Sequence, residues 1–367
     1  MIWRRGESQE SYDAQRNQPA RPWLRGAQAV FREDAKEVVL EKWDDEIPQP
    51  TVVDEAADAA RRARAQLGPT TRHVVNLLLF AAAVIGAVAG VAVAWMHIVN
   101  DPLADARAYY DAAVRLNQGR PLYPEGISPN GNEIYLYPPL LALALRPLAL
   151  LPFEAFALLW ELVVIAAFVA LVRYLGVRRK AVWLAIGILG VPIGWCLTIA
   201  QAHVPLTFLL ALGQPWSIAL AANLKLTPVV VAIWWLGRRD FQSFMAFLAW
   251  MGLFAAIQVA LATSDSVAFF SSVGLEQIGE VRNISPYAIS PALWIGLVLV
   301  GILVVLALAR TRWGWAAAVT LATVSPPRLL VYMLMGLLAA LRHPRIAGEP
   351  DPNDLSDPSM VYGRSFR

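Results

Sequence analysis

Charge is what this chain has least of. Only 16% of its 367 residues are Asp, Glu, Lys or Arg, while 57% are hydrophobic. An ordinary soluble domain carries about 25% charged residues. That balance excludes a water-soluble globule, a disordered chain and a fibrous repeat, and leaves an integral membrane protein with many spans. The net charge, 31 − 28 = +3, is too small to point to nucleic acid. Cysteine is almost absent. Cys196 stands alone, so an internal disulfide is excluded and a thiolate-held metal, haem or iron–sulfur centre has no support. No Gly-rich phosphate loop of the dinucleotide or Walker type is found. An Asp-rich metal signature is likewise missing. No cofactor and no obligatory metal are therefore expected. The chain shows no internal repeat, and its first residues lack the pattern of a signal peptide.

The charges that exist are unevenly placed. Residues 1–73 are polar and carry both signs, and are expected to be a cytoplasmic extension or a docking segment. Within them, 51–66 reads as a short helix, with acids in its first turns and arginines later, as the helix dipole favours. Residues 342–367, with Gly348, Pro350, Pro352 and Pro358, read as a second, mostly disordered cytoplasmic tail. Between the tails, 74–341 is apolar. Val74–His97, Phe153–Leu175, Ala181–Ile199, Gln242–Thr263 and Ser290–Arg310 are each near the roughly 20 residues that cross a bilayer.

Two apolar regions are broken. Gln201–Leu236 contains Pro205, Gly213-Gln214-Pro215 and Thr227-Pro228, and Thr311–Leu341 contains Ser325-Pro326-Pro327. Proline removes a helix donor and clashes with the preceding turn, so short helices are expected there. Exposed backbone at membrane depth is tolerated only where protein covers it or water fills a cavity beside it. Such breaks suit a site, in a transporter as in an enzyme. Basic clusters at Arg72, Arg173–Lys180, Arg238-Arg239, Arg310–Arg312 and Arg342–Arg345 set the orientation. Placing them all inside puts both termini in the cytoplasm and loops 98–134 and 264–289 outside. Residues 135–151, rich in proline, must then be re-entrant or interfacial. Trp234, Trp235, Trp313 and Trp315, beside basic clusters, read as an interfacial aromatic belt. In the second loop, Glu276, Glu280, Arg282 and Asn283 lie among aromatics, as in an interfacial helix or an acceptor site. Asn283-Ile-Ser285 matches a glycosylation sequon, a pattern too common to weigh and weakened by Pro286.

The first external loop carries helical spacing over 104–116. Asp105, Tyr109 and Ala112-Ala113 share one face. From spacing alone, Asp105 is either an N-cap or a reactive carboxylate. Asp101, before Pro102, reads as a turn. Glu154 and Glu161 share a face of the Phe153 helix, and the deeper Glu161 needs a partner.

The motif order resembles a known group. An apolar span is followed by Asp105-x-Arg-x-Tyr109-Tyr110-x-Ala-Ala, then Gly119-x-Pro-Leu-Tyr123, Tyr137-Pro-Pro-Leu and Arg146-Pro-Leu-Ala-Leu-Leu-Pro-Phe153. This is similar to GT-C superfamily glycosyltransferases, and more narrowly to the polyprenyl-phosphate-mannose-dependent α-mannosyltransferases of glycosyltransferase family 87. Asn223-Leu-Lys225-Leu-Thr-Pro228 and Ser325-Pro-Pro-Arg328 resemble later segments of that family. The likeness runs over roughly 74–341.

That resemblance implies an all-α, GT-C-like membrane bundle with broken short helices and an external loop bearing a catalytic Asp. It implies sugar transfer, mannose by default, from a polyprenyl-phosphate donor to a lipid or glycan acceptor outside a bacterial plasma membrane. Asp105 takes the position of the base. Lys225 and Arg328 are candidates for the donor phosphate, because a charge in hydrocarbon costs about 2.5–3.5 kcal/mol and normally faces a cavity or partner. The alternative for each is snorkelling to the interface. Arg107, Tyr109, Tyr110, Tyr137, Gln201 and His203 are candidate substrate-binding residues. The family pattern Gly-Gln-x-Asn is here Ala200-Gln201-Ala202-His203, which keeps only the glutamine. A transporter or flippase is the main competing reading, and a non-catalytic membrane subunit a third.

Overall fold

The computed structural model describes residues 68–123, 135–272 and 282–342. The helix expected at 51–66, the tail beyond Arg342, and Glu276 and Glu280 lie outside the described residues. Within them, all regular structure is helical.

Helix α1 (Pro69–Asn100) opens with proline in its first turn, where a missing N–H costs nothing. Its 32 residues reach about 48 Å at 1.5 Å each, more than the hydrocarbon core requires. Helix α2 (Ala104–Asn117) follows after a three-residue turn and buries Tyr109, Ala112 and Ala113, the face that the spacing predicts. Helix α3 (Pro139–Leu145) has seven residues, or about 10 Å. It is too short to cross, in keeping with a re-entrant or interfacial 135–151. Helix α4 (Phe153–Leu175) is a full span.

The stretch Ala181–Ile199 departs from expectation. It is not one straight span but two helices, α5 (Lys180–Ile188) and α6 (Gly190–Thr198), bent by 72° at Leu189. Glycines flank the break, and Pro192 in the first turn of α6 has no N–H to carry the ladder across it. Helix α1 packs along both halves. A Cβ at Gly90 would run into the backbone of Gly190, and one at Gly190 into that of Gly86, so only glycine permits this approach.

The broken region then forms α7 (His203–Leu212) and α8 (Pro215–Leu224). Gly213 takes the left-handed conformation that ends α7, Gln214 and Ser217 form a capping box, and Pro215 starts α8. A 3₁₀ turn at Thr227–Val231 leads into α9 (Ala232–Arg238). Helix α10 (Phe241–Leu261) is a span, α11 (Thr263–Ser272) is short, and α12 (Pro291–Leu308) is again a span. Helix α13 (Gly314–Val324) and a 3₁₀ helix, Val331–Leu341, complete the described chain.

The described residues thus hold four helices long and apolar enough to cross a membrane, or five counting the bent pair. Their apolar residues are widely exposed, among them Leu78, Ile85 and Val88 on α1 and Leu299 and Leu303 on α12. In water this would be a large unfavourable patch; lipid makes it an ordinary outer surface. The protein is therefore an all-α, multi-span membrane protein. The short helices fill its interior. Trp234, Trp235 and Trp315 are buried there, with Trp234 and Trp315 ring centroids 5.2 Å apart and Trp315 Nε1 donating to Ala339 O at 3.0 Å. This corrects the aromatic-belt reading: among the four, Trp313 alone is exposed. Adjacent arginines made core residues look interfacial. Glu161 finds no partner for its buried Oε2.

Candidate functional site

The site starts from two strained backbone positions. Leu103 and Ala200 both adopt left-handed φ, 58° and 59°, which side-chain-bearing residues rarely do. Each is held by its surroundings. Leu103 N donates to Thr198 O and Asp105 N to Ile199 O, both at 3.1 Å, so the start of α2 is docked on the end of α6. Trp160 Nε1, from α4, donates to Ala200 O at 2.8 Å, and Gln201 N donates to Cys196 O at 2.9 Å. The strain turns Asp105 and Gln201 toward each other. Glycine fits the φ of position 200 without cost, whereas alanine does not. Ala200→Gly removes a left-handed penalty of about 1–2 kcal/mol and adds unfolded-chain freedom worth about 0.4–1 kcal/mol. The variant is expected to melt no lower than the parent in detergent and to keep full activity. A clear loss of melting temperature would show that the alanine methyl packs for a purpose.

Gln201, fully buried, is the hub. Its Nε2 donates to Asp105 Oδ2. Its Oε1 accepts from Tyr109 OH at 2.6 Å and from Tyr137 OH at 2.5 Å. A carboxylate only accepts, so the amide must present Nε2 to Asp105 and Oε1 to the phenols. Tyr109 OH in turn accepts from Ala202 N at 3.1 Å. Tyr109 on the same helix, Tyr137 and Gln201 thus fix one carboxylate. Gln201 and the two tyrosines, predicted as substrate-binding residues, hold Asp105. The N-cap alternative for Asp105 is not what forms: α2 has no side-chain cap bond.

Burial pushes the Asp105 carboxyl up to about 7; Lys225 and the Gln201 hydrogen bond pull it down, Asp101 adds to the rise and Arg328 opposes it. A base poised near neutrality suits proton abstraction. Gln201→Leu removes a donor that favours the carboxylate and leaves two buried phenol O–H donors without their acceptor, at about 1–3 kcal/mol each. The pH–rate midpoint is expected to move up, and activity at pH 7 to fall by about tenfold or more as the Asp105 carboxyl loses its position. An unmoved midpoint would remove Gln201 from the electrostatics of the base.

Lys225 ends α8 in extended backbone, with Nζ 5.8 Å from the Tyr137 ring centroid and 5.7 Å from that of Tyr332. It lies within electrostatic reach of Asp105 and Arg328. Lys225 thus stands beside Tyr137, itself bonded to the glutamine that holds Asp105, and Arg328 lies within electrostatic reach of both charges. His203 sits beside Tyr332, ring centroids 6.2 Å apart. Its Nε2 lies 2.9 Å from Met333 O, so that nitrogen carries the proton, and the buried Nδ1 has no hydrogen-bond partner.

Other predicted residues stand apart. The Arg107 guanidinium lies 3.5 Å from the Phe153 ring centroid. Two residues after Asp105 on a helix, it points to another face. Tyr110 packs on Phe153 and Phe156 and donates to Leu151 O at 3.3 Å. Sequence reading missed Trp160 and the His97–Asp101 pair. His97 Nδ1 donates to Asp101 Oδ1 at 2.7 Å, and the ring stacks on Trp195. The i, i+4 spacing of His97 and Asp101 was the available signal; nothing local marked Trp160.

Comparison with known proteins bears on this cluster. The profile of glycosyltransferase family 87 matches residues 135–344, which include Tyr137, Gln201, His203, Lys225 and Arg328, while Asp105 lies before them. A polyprenol-phosphate-mannose-dependent alpha-(1-2)-phosphatidylinositol pentamannoside mannosyltransferase of Mycobacterium tuberculosis is 26% identical over 263 residues, 63% of this chain and 57% of the relative. A protein of the same description from Mycolicibacterium smegmatis is 26% identical over 313 residues, 70% of this chain and 75% of the relative. The chain thus spans little more than half of the first relative's length. No solved structure matches it at comparable significance. More than half of the chain lies within the family match, which includes its Lys-x-Thr-Pro and Ser-Pro-Pro-Arg segments: this chain belongs to glycosyltransferase family 87.

Proposed function

We propose that the protein transfers a sugar, mannose as in the names of both relatives, from a polyprenyl-phosphate carrier to a lipid or glycan acceptor. The reaction takes place on the outer face of a bacterial plasma membrane, with both chain termini in the cytoplasm. The observation that carries this reading is the meeting of Asp105, braced by Gln201, with Lys225 and Arg328.

In this reading Asp105 accepts the proton of an acceptor hydroxyl. The oxygen forms a bond to the anomeric carbon while the bond from that carbon to the phosphate oxygen breaks. The electron pair leaves with polyprenyl phosphate. That leaving group is anionic and stable, so it needs no acid but gains from fixed positive charge. Lys225 and Arg328 supply that charge. Asp101, the neighbouring carboxylate, is engaged by His97, which leaves Asp105 to act alone. A single displacement of this kind inverts the anomeric centre. The lipid carrier brings an activated sugar, so no protein-bound cofactor is needed to activate it.

The test uses the full chain in lipid nanodiscs, supplied with polyprenyl-phosphate mannose and an extract of membrane lipids and glycans. Release of polyprenyl phosphate with a product heavier by one hexose is expected. No transfer from mannose, glucose or arabinofuranose carriers would overturn the reading. Movement of the intact carrier across sealed vesicles would instead support transport.

A further inference from the structure

The loop that presents Arg328 is gripped from outside. Asn283, near the end of the second long loop, accepts at Oδ1 from Leu329 N at 2.9 Å and from Ser285 N at 2.9 Å. Its Nδ2 donates to Pro327 O at 2.9 Å. Ile284 N donates to Leu329 O at 2.9 Å. One amide side chain thus holds the residues on both sides of Arg328, 44 and 46 positions further along the chain. The loop has few means of its own to hold shape. Two consecutive prolines offer no N–H, and Trp294 Nε1 adds a tie to Ser325 O at 2.9 Å. Arg328 is partly exposed and within electrostatic reach of Asp105 and Lys225.

We infer that Asn283 is a positioning residue for the donor phosphate: it fixes the Pro327–Leu329 backbone so that Arg328 faces the Lys225–Asp105 cluster. This rests on the reading of Arg328 as a phosphate partner. It gives the second loop a role in donor binding and accounts for Asn283 better than glycosylation does, since its amide nitrogen is already donating to Pro327. An arginine held by a fixed backbone loses less freedom on binding an anion than one on a loose loop.

The test measures binding of polyprenyl monophosphate, and steady-state kinetics with the sugar-loaded carrier, in nanodiscs. Asn283→Ala is expected to raise the donor KM and the Kd for polyprenyl phosphate by about tenfold, with kcat and the pH–rate midpoint little changed. Asn283→Asp keeps both accepted hydrogen bonds and loses the donated one, so it should fall between. It serves if the alanine variant folds poorly. In an Arg328→Ala background, neither change should weaken binding further, because residues acting through one another are not additive. Full additivity, or an unchanged Kd in both Asn283 variants, overturns the inference. If Arg328→Ala alone leaves the Kd unchanged, the phosphate reading of Arg328 falls, and this inference with it. If Arg328→Ala weakens binding while the Asn283 variants do not, only the role of Asn283 is lost.

Discussion

Asp105→Asn is expected to reduce sugar transfer by about 10²–10⁴-fold, the usual contribution of a positioned general base. Asparagine matches aspartate in shape and can still offer Oδ1 to Gln201 Nε2, so geometry is kept and only proton acceptance is lost. Transfer rates in membranes, normalised to protein amount, check this; retained activity removes Asp105 as base. The wild-type pH profile supplies a second arm. In the proposed reaction the active form is the carboxylate, and burial lifts the carboxyl to about 7. The rate should therefore fall tenfold per unit as pH drops below that value, and level off above it. The sign of the stability effect is opposite. A folded-state pKa above the unfolded value means that the native protein binds the proton more tightly. Wild type thus loses stability as pH rises from the ordinary carboxylate range to about 7. Asp105→Asn stays neutral throughout and should melt higher than wild type at pH 8, with no gain at pH 4. A variant that is inactive and also less stable at pH 8 would mean a collapsed site rather than a missing base.

The second large effect is expected at Lys225. Lys225→Met should lower kcat by about 10²–10³-fold at saturating donor, as for loss of one preorganised group that stabilises developing charge. The loss belongs in kcat because negative charge grows on the phosphate oxygen only as the bond to the sugar breaks. Tyr137 and Tyr332 stand near the ammonium at 5.8 and 5.7 Å from their centroids, a range in which ring faces attract a cation. Lys225→Arg should restore little, since a planar guanidinium is a different shape from a compact ammonium between two rings. Tyr332→Leu should cost less than Lys225→Met, because it removes a neighbour and not the charge. Donor-saturation curves for the three variants are the measurement. An unchanged kcat with a raised KM for the acceptor would move Lys225 to the acceptor side.

Much of the framework was legible because it depends on local chemistry. Lipid-facing helices require an unbroken apolar run, so α1, α4, α10 and α12 could be read directly. Prolines and Gly213 mark where helices cannot continue, so the short helices of 201–236 were readable as breaks. The period of α2 placed Asp105 and Tyr109 on one side. Failures had equally physical sources. The bend at Leu189 follows from glycines and a proline whose effect depends on how closely α1 can approach, which composition does not show. Trp234, Trp235 and Trp315 sit beside arginines in sequence yet point into the core, since a helix carries neighbouring residues to different faces.

By itself the sequence determined a many-span membrane protein, its breaks, and the few charges left without an obvious reason. Tertiary structure alone decided which partners those charges have. Gln201 reaches Asp105 across 96 positions and Tyr137 across 64, and Asn283 grips a loop 44 positions on. Hydrogen bonds over such separations leave no periodic trace in a chain. They form because these polar groups are buried where no water competes for them, so the fold supplies their partners. In this protein those groups converge on one carboxylate.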